Sequence, residues 1–147
     1  MFRIETEVDK ERHALLRSRL RETNLASSPA LRALAGTGQD GELPLQVWAS
    51  DASGALVGGL TGRTWAHWLH VELLWVDAGA RGSGLGARLL AEAERRAREA
   101  RLCTRSRVDT WDFQAPGFYT RQGYEIVGTV VGYPPGITEY TLVKTLN

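Results

Sequence analysis

The run Arg81-Gly82-Ser83-Gly84-Leu85-Gly86 places three alternating glycines between an apolar stretch, Val71 to Val76, and a long pattern rich in Ala, Leu, Arg and Glu. An apolar strand leading through a glycine-rich turn into a helix makes a site for an anion. The first turn of a helix leaves backbone N–H groups without intrahelical partners, and its macrodipole adds positive potential at the same place. Glycines leave no side chains in the way of an approaching ligand, so a pyrophosphate fits such a cradle. Two groups able to move a proton stand just upstream. Glu72 is the one carboxylate within Val71 to Val76, and burial in that strand would raise its pKa and make it a better proton acceptor. His70, two residues earlier, shares its face if the strand is regular and is a natural base near neutral pH.

The order of residues around the glycines separates the phosphate-binding loops. A Walker-type loop requires Lys and then Ser or Thr after its last glycine, whereas Ala87 and Arg88 follow Gly86. A dinucleotide fingerprint requires G-x-G-x-x-G spacing, whereas the glycines here alternate strictly. The pattern Arg81-x-x-Gly84-x-Gly86, entered from Val76-Asp77, resembles the acyl-CoA loop of the GNAT superfamily of N-acetyltransferases. A second segment, Ala115-Pro116-Gly117-Phe118-Tyr119-Thr120-Arg121-Gln122-Gly123-Tyr124, is similar to the late motif of that family, a short helix that carries a tyrosine and ends at glycine and an aromatic. From Leu45 to Leu146 the element order matches the GNAT fold. The first forty or so residues match it loosely.

The resemblance implies a single domain over residues 1–147 and a mixed, mostly antiparallel sheet of about seven strands with helices on both faces. It implies acetyl-CoA as the acyl donor and direct attack of an acceptor amine on it. Pantetheine would pair along Leu74, Trp75 and Val76, with the amide of Trp75 or Val76 facing the thioester oxygen, where negative charge builds during attack. The pyrophosphate would rest on Arg81, Gly82, Ser83, Gly84, Leu85 and Gly86. Tyr119 matches the family tyrosine that protonates the departing thiolate. Where many relatives carry an asparagine before that tyrosine, this chain has Asp112, Phe113 and Gln114, and Gln114 would take its place. The base would be Glu72, His70 or a water chain. Its task is considerable, because a lysine-type amine with pKa about 10.4 is neutral in roughly one molecule in two thousand at pH 7.

The elements that must position these groups follow from periodicity. Arg3 to Val8 alternates weakly and is read as a first strand. Asp9 is a plausible N-cap for a helix to about Arg21, with Leu15, Leu16 and Leu20 on one face. Pro29 to Ala35 suits a second short helix, and residues 36–41 read as a loop. Leu45–Ser50 and Ala55–Trp65 form a hairpin across Asp51-Ala52-Ser53-Gly54. The next strand runs from Ala66 to Asp77, a helix from Gly84 to Ala100, a strand from Thr104 to Trp111, a short helix from Ala115 to Gln122, and a closing hairpin from Tyr124 to Leu146. On the helix from Gly84, Glu92–Arg96 and Glu94–Arg98 have the i,i+4 spacing of a solvated face. This is an α+β order.

Composition narrows the function. A net charge of +1 over 147 residues argues against a broad nucleic-acid face. No apolar run approaches membrane-spanning length, and the N-terminus lacks the apolar core of a signal peptide, so no membrane partner and a cytoplasmic location are expected. Cys103 is the single cysteine and reads as a small buried apolar residue. No metal site is expected, since His13, His67 and His70 lack partners at ligand spacing. The acceptor is read as a small-molecule amine, because no long charged docking face is visible. A protein lysine or N-terminal acceptor, and a CoA-binding sensor or interaction module without transfer, are the rival readings. A homodimer is compatible with the resemblance. Among the five tryptophans, Trp65, Trp68 and Trp75 flank the strand of Glu72, where one or two would line an acceptor pocket.

Overall fold

A computed structural model describes residues 1–114 and 116–147, which divide into two compact units, Met1–Gly38 and Gln39–Asn147. The expected position Ala115 lies outside the described residues.

The first unit holds helices α1 (Lys10–Ser27) and α2 (Pro29–Leu34). Asp9 caps α1 as expected, accepting from the Arg12 amide at 2.9 Å. Ser28 closes α1 and caps α2, its Oγ accepting from the Leu31 amide at 3.2 Å. The strand expected over Arg3 to Val8 does not form. A strand needs a neighbour to satisfy its backbone, and here Glu5 instead spans Arg3 and Arg12 at 2.6 and 2.9 Å. Neither helix buries a residue, and Leu15, Leu16 and Leu20 are exposed.

The second unit is built on one six-stranded sheet in the order β1-β2-β3-β4-β6-β5. Its strands are β1 (Leu43–Ser50), β2 (Leu56–Trp65), β3 (Trp68–Val76), β4 (Arg105–Trp111), β5 (Glu125–Val131) and β6 (Thr138–Thr145). All neighbours are antiparallel except β3 and β4. The count is six rather than about seven because the first strand is missing. Helix α3 (Leu85–Arg101) follows β3, and α4 (Pro116–Arg121) follows β4.

Leu89, Leu90, Ala93 and Ala97 of α3 recur at helical spacing and are buried with Leu60, Leu69, Val71, Val108 and Leu142 of the sheet. Tyr119 of α4 joins the same core. Glu94 also points inward, which corrects its expected pairing with Arg98. It accepts from Lys144 at 2.8 Å and from the Tyr124 hydroxyl at 2.8 Å, and that hydroxyl in turn lies 2.8 Å from Ser106 Oγ. A carboxylate at this depth is tolerated because both oxygens are matched. On the outer side of α3, Arg95 rather than Arg96 takes the charge pairs, with Glu92 and Glu99. Among the described residues no helix is long and apolar enough to cross a membrane.

Candidate active site

The strand before the glycine loop is irregular at one point. β2 and β3 pair from Trp65↔Trp68 to Gly62↔Val71, and again from Thr61↔Leu73 to Gly58↔Val76. Glu72 is left over and forms a β-bulge. The extra residue reverses which side chains face the core. Leu69 and Val71 are buried before it, Leu74 and Val76 pack inward after it, and Leu73 and Trp75 are exposed. Gly62 is what lets the bulge close, since a Cβ there would sit 2.4 Å from the His70 carbonyl oxygen.

The bulge also marks where β3 and β4 diverge. Their parallel pairing runs from Trp68↔Arg105 to Val71↔Val108 and stops, although β3 continues to Val76 and β4 to Trp111. Beyond Val71 the edge of β3 toward β4 has no ladder partner. Leu74, Trp75 and Val76 therefore carry backbone groups along that edge that no ladder partner takes up.

At the end of this strand Asp77 accepts from the Gly79 amide at 3.0 Å, and a short 3-10 turn, Ala78–Ala80, leads into the glycines. Gly82 and Gly84 have φ of +77° and +80°, a region that residues with a Cβ rarely adopt, and a Cβ at either would meet no atom within 4 Å. The first intrahelical bond of α3 runs from Arg88 N–H to Gly84 O at 3.1 Å. The amides from Gly82 to Ala87 precede it and make no backbone hydrogen bond with the described residues. Six consecutive donors at a helix start are the groups an anion needs. Arg81 turns back, its Nε donating to the Val76 carbonyl at 3.2 Å, and Ser83 Oγ donates to Ala80 O at 2.6 Å. Leu85 packs against the core.

Helix α4 stands beside this loop: the Phe118 ring lies 3.5 Å from where a Cβ on Gly86 would be. Tyr119 is 6% exposed and packs edge-on to Phe118 and Tyr124. Its hydroxyl has no hydrogen-bond partner among the described residues. No side-chain polar atom of those residues that is sealed from solvent is left unpaired, so this oxygen opens onto solvent. Burial of the ring pushes its pKa up to about 12. Gln114 caps the end of β4, its Oε1 accepting from Thr110 Oγ1 at 3.3 Å and the Trp111 amide at 3.2 Å, which leaves its NH₂ as the group able to meet a ligand. Cys103 is buried, and burial raises its thiol pKa. A thiol held protonated is a poor nucleophile.

The two proton-handling candidates separate. Burial is the property that would favour Glu72, and it does not hold: as the bulge residue Glu72 is exposed, and its Oε1 pairs with Arg63 Nη1 at 3.1 Å. His70 is half-buried, and the bulge at Glu72 breaks the regular alternation on which their shared face rests. Burial, and after it the charges of Arg63 and Arg107, hold its pKa below the ordinary histidine value. It is neutral at pH 7 and able to accept a proton.

Arg63 and Arg107 are the residues missed in the sequence. They are the direct cross-strand neighbours of His70 on either side. The next row out is Trp65, Trp68 and Arg105. Residues two apart on a strand share a face, so these two rows form a grid on the side of the sheet away from α3. A cavity of about 350 Å³ lies over it, lined by Glu42, Arg63, Trp65, Trp68, His70 and Arg107. Trp75 and Trp111 stand outside this cavity. The turn joining β2 and β3 has only two residues, Ala66 and His67, with φ of 52° and 65°. Both are unfavourable for residues with a Cβ. Gln39 holds the two turn amides at 2.9 Å each, and His67 Nδ1 lies 2.9 Å from Leu102 O.

A parallel pair whose ladder stops at a bulge, a row of unpaired amides at a helix start and a tyrosine with an unpartnered hydroxyl are the groups an acyl-CoA-dependent transferase requires. The acetyltransferase (GNAT) family model matches residues 11–124, and the chain belongs to that family. It is 56% identical over 131 residues to blasticidin-S acetyltransferase of Streptomyces morookaense, covering 87% of this chain and 96% of that protein. An acetyltransferase of Agrobacterium fabrum is 35% identical over 97 residues, covering 66% and 70%. Among solved structures, an acetyltransferase from Bacillus cereus superposes with a TM-score of 0.85 over 98% of both chains at 26% identity. The protein is thus an N-acetyltransferase that uses acetyl-CoA.

Proposed function

We propose that this chain acetylates an amino group of blasticidin S or a close chemical relative, by direct transfer from acetyl-CoA. The observation that carries the choice of acceptor is the 56% identity to blasticidin-S acetyltransferase across nearly the whole of that protein. The family match begins within the first unit and ends within the second, which supports reading residues 1–147 as one functional domain. The cytoplasm, where acetyl-CoA is supplied, is the proposed site of action. The proposal is for a monomer or a homodimer, each with a complete site.

In this reading the amides of Gly82 to Ala87 hold the diphosphate, with Arg81 at its edge and Ser83 and Leu85 shaping the loop. Leu74, Trp75 and Val76 pair with the pantetheine arm, and one amide of Trp75 or Val76 faces the thioester oxygen. Gln114 NH₂ donates to the arm from the β4 side. His70, neutral, takes the proton from the acceptor ammonium. Glu72 keeps Arg63 in place beside it and is the second candidate for that proton. The amine nitrogen then bonds to the carbonyl carbon, the carbon–sulfur bond breaks, the proton shed by the new amide nitrogen passes to the departing thiolate, and Tyr119 donates a hydrogen bond to that sulfur. An amide at the oxyanion and a donor at the leaving group are the two places where charge develops, and fixed donors there lower the barrier most.

The test is turnover. The protein is mixed with acetyl-CoA and, separately, blasticidin S, a lysine peptide and a peptide with a free N-terminus, and release of CoA thiol and product mass are followed. Acetylated blasticidin S with both peptides unmodified is the expected result. Acetylation of a peptide alone would replace the small-molecule reading with the protein-acceptor one.

A further inference from the structure

The grid under the cavity carries more information than the identity of the base. Its charges are not evenly compensated. Arg63 lies between two carboxylates, Glu42 at 3.4 Å and Glu72 at 3.1 Å. Arg107, in the same row and also facing the cavity, has no carboxylate partner among the described residues and is exposed. The acid on its own strand and face, Asp109, accepts from Thr141 Oγ1 at 2.6 Å. A guanidinium left without a counter-charge in a concave site is a receptor for an oxyanion, which its planar fork meets with two parallel bonds.

The neighbouring row supplies a flat apolar surface. Trp65 and Trp68 are direct partners across the two-residue turn. Both are fixed before any ligand arrives. The Trp65 indole N–H donates to Asp40 O at 3.0 Å, and Arg105 lies over the Trp68 ring at 5.0 Å from its centroid. The positive φ of Ala66 and His67 closes the two-residue turn that makes Trp65 and Trp68 direct cross-strand partners, and strain of this kind persists where the surroundings over-determine it. His70 lies in the row nearest the point where β3 leaves β4, because the last paired residue of β3 is its neighbour Val71.

We propose that this grid is the acceptor subsite and that it selects an amine whose molecule also bears an oxyanion and a planar ring: the oxyanion on Arg107, the ring against Trp65 and Trp68, and the amine beside His70 where β3 leaves β4. This rests on the acetyltransferase reading of the same site. It goes beyond that reading by assigning three recognition residues and the chemical features each one reads.

Two probes of equal shape test it: 4-(aminomethyl)benzoic acid, and its neutral carboxamide. Binding is followed by quenching of tryptophan fluorescence, and transfer by CoA release, for the full chain and for Arg107→Gln and Arg107→Lys. The wild-type chain binds the carboxylate about ten-fold or more tightly than the amide, the range of a charge-assisted pair. Arg107→Gln brings the ratio close to one, and Arg107→Lys retains some of it. The Kd for acetyl-CoA stays the same in all three. Equal binding of the two probes by the wild-type chain, binding of neither at millimolar concentration, or a ratio untouched by Arg107→Gln overturns the assignment. Transfer to both probes at equal efficiency overturns the subsite and leaves the acetyltransferase reading intact. Charge-selective binding with no transfer to any amine supports the subsite and removes that reading instead.

Discussion

Tyr119 and Tyr124 sit 5.7 Å apart in the same aromatic cluster, yet replacing each by Phe should have opposite consequences. Tyr119→Phe removes an oxygen that has no protein partner among the described residues, so stability should move by less than about 0.5 kcal/mol. Tyr124→Phe removes the hydroxyl that bridges buried Glu94 and Ser106 and leaves both short of a partner. That costs about 1–3 kcal/mol, or roughly 2–12 °C in Tm for a chain of this length. For catalysis the order reverses. With Tyr119 raised to about 12 and a free thiol near 8.5, complete proton transfer is uphill by roughly 5 kcal/mol before the thiolate's own burial is counted. In the proposed mechanism Tyr119 would therefore act mainly as a hydrogen-bond donor to the developing charge. Its loss should lower kcat about 10²-fold, the lower end of the range for acid catalysis and near 2.7 kcal/mol of barrier. The KM for acetyl-CoA should hold. Thermal melts and steady-state release of CoA thiol on both variants give the four numbers. A Tyr119→Phe enzyme with wild-type kcat, or one that loses stability as Tyr124→Phe does, would falsify the assignment.

Gly62→Ala should damage both fold and donor site, because the new Cβ would lie 2.4 Å from the His70 carbonyl oxygen, a backbone atom unable to swing away. A loss of about 1–3 kcal/mol is expected, with a raised KM for acetyl-CoA as the bulge shifts. A wild-type Tm and KM would show that the bulge does not shape the donor site. His70 gives a pH signature. Burial, Arg63 and Arg107 all lower its pKa, and the base works only when neutral, so the acid limb of kcat should fall below pH 6.5, the ordinary value for histidine. Arg107→Gln removes one of those charges and should move the limb to higher pH at saturating substrates. A limb that stays in place would take His70 out of the base role.

The features of this fold that are legible in the sequence are those written locally. Asp9 before a helix, the alternating glycines before α3 and the Tyr119-to-Gly123 segment each depend on residues within a few positions, and each maps onto the element expected of it. The misreadings share a cause of the other kind. Glu72 reads as buried only in a regular strand, and one unpaired residue reverses the faces beyond it. A signal for this is present on the neighbouring strand: a glycine inside a strand often marks close backbone approach, and Gly62 lies opposite the bulge. Arg107 could not be placed beside His70, since parallel partners thirty-seven residues apart are set by the register of β3 on β4. Arg3 to Val8 has weak alternation but no strand to pair with, and propensity alone does not make a strand.

The proposed mechanism depends on the unpaired amides from Gly82 to Ala87 carrying the donor and so laying its acyl group where β3 leaves β4. A crystal structure of the chain with bound CoA decides this. The diphosphate is expected on those six amides, the pantetheine arm along Leu74 to Val76, and the sulfur within hydrogen-bonding reach of the Tyr119 hydroxyl. Density for the diphosphate at any other site, or an arm lying away from the diverging ends of β3 and β4, would refute it.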